Sequence, residues 1–188
     1  DRESGGKKVI PIAYCYNEGF GREKDSWRAK GFLDNGYKPI YGAEKLSQDL
    51  MPVLIVEGEK TADRASELFP DYSVISWMGG ANAADRVDWS QLSGRKVVIW
   101  PDNDRPGLDA AEVIVSEVNK ANGFSGFCKI VDVRSLSLPE KWDLADEIPN
   151  HLNLDDVIGE VTRLTRSYDK DISYHEDLAS NLADDEQR

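Results

Sequence analysis

The 188-residue chain has only two cysteines, Cys15 and Cys128, and two histidines, His151 and His175. That is too few for a disulfide scaffold, and the spacing fits no Cys/His zinc site. Both cysteines lie in apolar stretches, so buried free thiols are expected, as suits a reducing cytoplasm. No apolar run approaches the ~20 residues that a membrane-spanning helix needs, so no membrane partner is expected. No signal peptide opens the chain, and it begins at Asp1 rather than Met, which reads as a piece of a longer protein. A Gly-x-x-x-x-Gly-Lys-Ser/Thr loop is missing, which excludes a P-loop helicase within these residues. Positive charge is also scarce. The 23 Lys and Arg face 35 Asp and Glu, a net charge of −12. Such a surface repels nucleic acid unless charge is segregated or metal ions intervene.

What is present is ordinary globular composition, 40% apolar and 31% charged. The length suits one domain, or one domain with an appendage. Residues 9–16 (VIPIAYCY) have the apolar, β-branched character of a strand, and residues 42–50 suit a short helix. The pattern then becomes regular. Compact apolar runs at 52–56, 72–77, 96–100 and 127–133 predict buried strands. Helices are predicted over 59–68 and 108–119, with 101–107 as a loop, and a further helix over 154–164. Strands alternating with helices predict an α/β fold with a mostly parallel sheet covered on both faces. Trp77, Trp89, Trp100 and Trp142 are expected to pack in the core or at its rim. The acidic end, 169–188, reads as a solvated tail.

Open parallel sheets bind ligands beyond the carboxyl ends of their strands. Glu57 follows the run VLIV directly, and Asp102 and Asp104 follow VVIW with only Pro101 between. Asp143 and Asp146 come some ten residues after the last strand. In extended backbone Asp102 and Asp104 would project to one side. Paired carboxylates are costly without a cation. Hard oxygen ligands with no His or Cys suit Mg²⁺ or Mn²⁺ and hence phosphoryl or nucleotidyl transfer. An isolated Asp-x-Asp is commonly just a solvated turn, and a Glu after a strand is commonly a helix-start charge. Gly58 permits a tight strand-to-helix turn, and Gly79 and Gly80 permit close backbone approach, as a phosphate needs.

The segment VLIVEGEKTADRA, followed about 45 residues later by VVIWPDNDRPG, resembles a Toprim domain. With the WMGG turn, the later WDLAD and the preceding KPIYGAEKL, it resembles the Toprim domains of plasmid and phage primases, which are often fused to or partnered with a replicative helicase. The likeness covers roughly Pro52 to Asp146. It implies Glu57 as the acid/base or metal-binding glutamate and Asp102 and Asp104 as the metal pair. It further implies Gly107 as the glycine closing that loop, Asp143 and Asp146 as a third acidic cluster, and Lys60 as a cation meeting phosphate at a helix start. The zinc module common in primases is not supplied by this chain.

The domain plan that follows is an N-terminal α+β subdomain (1–50), a Toprim-like catalytic domain (51–150) and a C-terminal helix with its tail (151–188). Arg22, Lys24, Arg28 and Lys30, interleaved with Trp27, Phe32 and Tyr37, are expected to contact nucleic acid. The expected activity is synthesis of RNA primers by a DNA primase. Its partners would be a single-stranded DNA template, ribonucleoside triphosphates and a replicative helicase in cis or trans. A metal-dependent nuclease on the same fold, or a non-catalytic module that binds nucleotides or docks a helicase, remain alternatives.

Overall fold

A computed structural model describes residues 12–15, 26–29, 37–47, 51–122 and 128–168. The chain forms two compact units, 1–37 and 38–188. In the first, β1 (Ile12–Cys15) pairs antiparallel with β2 (Ser26–Ala29), which sets Tyr14 opposite Trp27 and Ala13 opposite Arg28. Trp27 is 70% exposed there.

The second unit is built on a five-stranded sheet. Its members are β3 (Ile40–Tyr41), β4 (Val53–Glu57), β5 (Ser73–Trp77), β6 (Val97–Trp100) and β7 (Cys128–Ile130), in the order β3-β5-β4-β6-β7. All neighbours run parallel except β3, which pairs antiparallel with β5. The expected α/β fold with a mostly parallel, helix-flanked sheet is therefore present. The division between units falls between Tyr37 and Lys38 rather than at 50/51, because β3 joins the main sheet and Lys38 bridges to Val87.

Alternation along the central strands sorts two cores. Leu54, Val56, Val74, Val98 and Trp100 face α1 (Glu59–Leu68) and the helix 154–168, here α3. Val53, Ile55, Ile75, Val97 and Ile99 face α2 (Arg105–Asn122) and the short 3-10 helices Ala81–Arg86 and Trp89–Leu92. Each buried aliphatic side chain contributes about 1.5–3 kcal/mol, so the sheet is clamped from both faces. Trp77, Trp89, Trp100 and Trp142 are all buried, as expected. Cys128 is a buried free thiol, and burial pushes its pKa up to about 12. No helix among the described residues is long and apolar enough to cross a membrane.

The boundaries differ from expectation at informative places. Helix α2 starts at Arg105, three residues before the expected 108, because Asp104 caps it. The Asp104 carboxylate accepts the Gly107 N–H at 2.8 Å, and Pro106 is tolerated in a first turn whose N–H groups lack helical partners. Helix α3 runs on to Tyr168, whose buried hydroxyl donates to the Val97 carbonyl and fastens the helix end to β6. It starts at a reciprocal cap, with Asp156 N–H on Asn153 at 2.8 Å and Asn153 N–H on Asp156 at 2.9 Å. Strand β7 is shorter than the predicted 127–133, and Phe127 lies outside the described residues. So do 48–50 of the expected 42–50 helix, of which Ala43–Ser47 forms one 3-10 segment, and the tail 169–188.

Gly107 is the tightest point near the sheet ends. A Cβ there would lie 2.6 Å from the Asp102 carbonyl oxygen and 3.0 Å from its backbone nitrogen. Gly107→Ala is therefore expected to destabilise by about 1–3 kcal/mol. Gly159→Ala, in α3 with open space around it, is expected to stabilise by up to about 1 kcal/mol. Urea unfolding midpoints of the two variants check both signs.

Candidate functional site

Connections from β4 and β6 leave the sheet in opposite directions. The chain after β4 turns through Gly58, at φ 83°, into α1 on one face. The chain after β6 turns through Pro101–Asp104 into α2 on the other. Adjacent parallel strands whose connections diverge leave a crevice at their carboxyl ends, where α/β sheets bind ligands. The β4–β6 register sets Val56 beside Trp100, so Glu57 and Asp102 leave the sheet at that crevice as near neighbours.

Glu57 continues the alternation of β4 toward the side of α2 and Ala81–Arg86. The Ala81 N–H bonds its carboxylate. Gly79 and Gly80, at φ 103° and 71°, allow that approach. A Cβ on Gly80 would sit 3.6 Å from Glu57 Oε1, and the Trp77 indole N–H holds the Gly80 carbonyl at 2.9 Å. These glycines thus shape the wall around Glu57.

Asp102 and Asp104 do not lie along extended backbone as expected. The Asp104 N–H donates to the Asp102 carbonyl at 2.8 Å, closing a tight turn. Helix initiation wins over extension here, since Asp104 must cap α2. Its capping bond uses one of about four acceptor positions on the carboxylate, so the group keeps capacity for another partner.

Asp143 and Asp146 arrive on the loop after β7. That loop is tied to the β6 loop by Asn103, whose backbone N–H donates to the Trp142 carbonyl at 3.1 Å. The Asn103 side-chain amide donates to the Leu138 carbonyl at 2.7 Å and the Pro139 carbonyl at 2.9 Å. Trp142 packs against Trp100 with ring centroids 6.1 Å apart. Nothing in the composition or periodicity marked Asn103. The one available signal was an amide side chain between two candidate ligands.

The carboxylates feel one another. Burial first, then Asp104 and Asp143, raise the pKa of Glu57, against the lowering effect of the Ala81 N–H. Asp102 is pushed up to about 8 by burial and then by Glu57, Asp143, Asp104 and Asp146. Glu57, Asp104, Asp143 and Asp146 therefore all lie within electrostatic reach of Asp102. Lys60 is exposed on the first turn of α1 and makes no ion pair among the described residues. Arg22, Lys24 and Lys30 lie outside the described residues, and Arg28 is placed only by its position on β2. A groove of about 370 Å³ opens between Ala81, Asn82 and Asp85 and the start of α2 at Arg105, Pro106 and Asp109, and none of the five carboxylates lines it.

The chemistry of this donor set fits Mg²⁺ or Mn²⁺, since it is all oxygen and its crowding is relieved by positive charge. Among the described residues no three such side chains converge tightly enough to ligate one ion as they stand. Magnesium requires only one or two protein carboxylates, with water and phosphate completing its shell, so the residues fit the ion in that mode.

Residues 18–103 are similar to a family described as Domain of unknown function (DUF6371). The similarity spans less than half of the chain and includes Glu57, Gly79, Gly80 and Asp102, but stops short of Asp104, Gly107, Asp143 and Asp146. No curated protein and no solved structure matches the chain.

The pKa of Asp102 sets a pH dependence. The folded protein holds a proton that the unfolded chain releases, across the range from 3.8 to about 8. Stability is therefore expected to fall as pH rises through that window. Allowing for partial exposure, Asp102→Asn should flatten the profile and stabilise the metal-free protein by about 1–3 kcal/mol at pH 8. Thermal melts from pH 4 to 9 in chelator check it.

Proposed function

We propose that the chain is the catalytic core of a DNA primase of Toprim type, which joins ribonucleotides on a single-stranded DNA template. The observation that carries this reading is the pair Glu57 and Asp102, delivered by adjacent parallel strands to the crevice where their connections diverge, each with a raised pKa. The resemblance of VLIVEGEK, PDNDRPG and WDLAD to primase segments supplies the reaction class.

In this reading Asp102 and Asp104, with Asp143 and Asp146 behind them, hold Mg²⁺ or Mn²⁺ together with the incoming triphosphate. The ion, when bound, supplies Lewis acidity toward the attacking 3′ hydroxyl and the departing pyrophosphate. Glu57, steadied by the Ala81 N–H, accepts the proton of that hydroxyl or joins the ion's shell. Arg22, Lys24, Arg28 and Lys30 provide cations for the template, and a replicative helicase acts in cis or trans. A cytoplasmic setting agrees with the reduced Cys128 thiol.

One observation favours a second reading, a module that binds nucleotides without turnover. Among the described residues no three Asp, Glu, His or Cys side chains converge tightly enough to ligate one ion as they stand.

Primer synthesis on single-stranded DNA with ribonucleoside triphosphates and Mg²⁺ or Mn²⁺ separates the two. Asp102→Asn and Asp104→Asn should each lower the rate on the order of 100-fold or more. Metal-nucleotide binding without synthesis by the wild type would move the binding module to the front. Undiminished synthesis in both variants would sink the assignment of the metal site.

A further inference from the structure

The acidic cluster has two halves of different construction. Glu57, Asp102 and Asp104 stand at strand ends or a helix cap. Asp143 and Asp146 stand on irregular chain after β7 and bond mainly to one another's segment. The Asp143 N–H donates to Asp146 at 3.2 Å, and the Ala145 N–H donates to Asp143 at 2.6 Å. This piece lies in no strand or helix. Leu138, Trp142 and Leu144 bury its apolar side in the core around Trp100, and its polar backbone is tied to the β6 loop through Asn103.

We infer that Asn103 is the positioning residue that brings the second half of the cluster to the first. Every hydrogen-bonding group of its backbone and its amide nitrogen is spent on the same arc of chain. Its N–H meets the Trp142 carbonyl, and its carbonyl accepts the Lys141 N–H at 3.0 Å. Its Nδ2 reaches the Leu138 and Pro139 carbonyls at 2.7 and 2.9 Å. Two carbonyl oxygens can only accept, so the position demands a two-hydrogen donor on a short stem. Aspartate, isosteric with asparagine, would set oxygen against oxygen. The neutral amide between Asp102 and Asp104 is thereby explained.

The arc that Asn103 grips is bent against its preferences. Ser137 and Lys141 have φ of 52° and 64°, left-handed values that side chains with a Cβ rarely adopt. Such conformations persist where surrounding contacts over-determine them. The four bonds from Asn103 are contacts of that kind, falling between and just beyond the two bends. Trp142, packed at a tilt against Trp100 and bonded through its indole N–H to the Glu147 carbonyl at 2.9 Å, anchors the far side.

The inference rests on the metal reading for its consequence, though not for the contacts. Mn²⁺ binding, followed by the loss of the free-ion resonance signal, is compared in wild type, Asn103→Ala, the pair Asp143→Asn/Asp146→Asn and all three substitutions together. Asn103→Ala should weaken binding about tenfold, the scale of outer-shell losses. The triple variant should bind no more weakly than Asp143→Asn/Asp146→Asn, because Asn103 acts through those two carboxylates. Additive losses, or unchanged binding in Asn103→Ala, overturn the inference.

Amide hydrogen exchange of the metal-free protein gives a readout independent of the ion. Asn103→Ala, and Asn103→Asp as a second variant, should lose protection over 138–147 while β4 and β6 keep theirs. If the wild type binds no Mn²⁺, the metal reading fails, and exchange alone decides the positioning role. Unchanged protection in 138–147 overturns that role. So does unfolding of both variants, since a grip on one loop does not carry the sheet.

Discussion

The parallel pairing of Val53–Val56 with Val97–Trp100 is the constraint on which the site depends. Side-chain direction in a strand alternates, so a slip of one residue would turn Glu57 toward α1 and bury the wrong row of valines. Two full cores, one on each face, make that slip prohibitive. The register is thus enforced by apolar residues that never touch a ligand. Glu57 and Asp102 inherit their proximity from it, and that proximity forces carboxylates together before any ligand is considered.

Those parts of the fold whose information is local were legible in the sequence. Strands β4, β5 and β6 are short apolar runs bounded by Gly, Pro or charge, and α1 was bounded correctly at both ends. Strand β3 has two residues, too few to show a period, and pairs only because Ile40 and Tyr41 lie against Trp77 and Ser76. The start of α2 was hidden by Pro106 and Gly107, which read as loop although a first turn accepts both. Gly107 is needed there for the close passage of the Asp102 backbone. The connection from β5 to β6 is made of 3-10 segments too short to carry a helical stripe.

The same division holds at the site. The carboxylates could be found because a strand end is visible in sequence and a carboxylate there has a limited set of uses. How Asp143 and Asp146 reach the crevice was not visible, because their placement depends on bonds between Asn103 and residues some 35 positions away. Lys60 is exposed on the first turn of α1, as its position in the sequence implied.

Charge sharpens the functional argument. Residues 1–37 carry seven Lys and Arg against six Asp and Glu, while 38–188 carry 16 against 29. Nearly all the negative charge therefore belongs to the unit with the crevice. A phosphate entering beside Glu57 and Asp102 unaccompanied would add like charge to groups that already suppress one another's ionisation. Protonation of Asp102 removes one charge below about pH 8, which lessens the repulsion without making the crevice attractive to an anion. A divalent cation reverses the sign locally and lets all the carboxylates ionise at once. The acidic unit and a phosphate-bearing substrate are compatible through such an ion, and this electrostatic requirement is independent of any resemblance in the sequence.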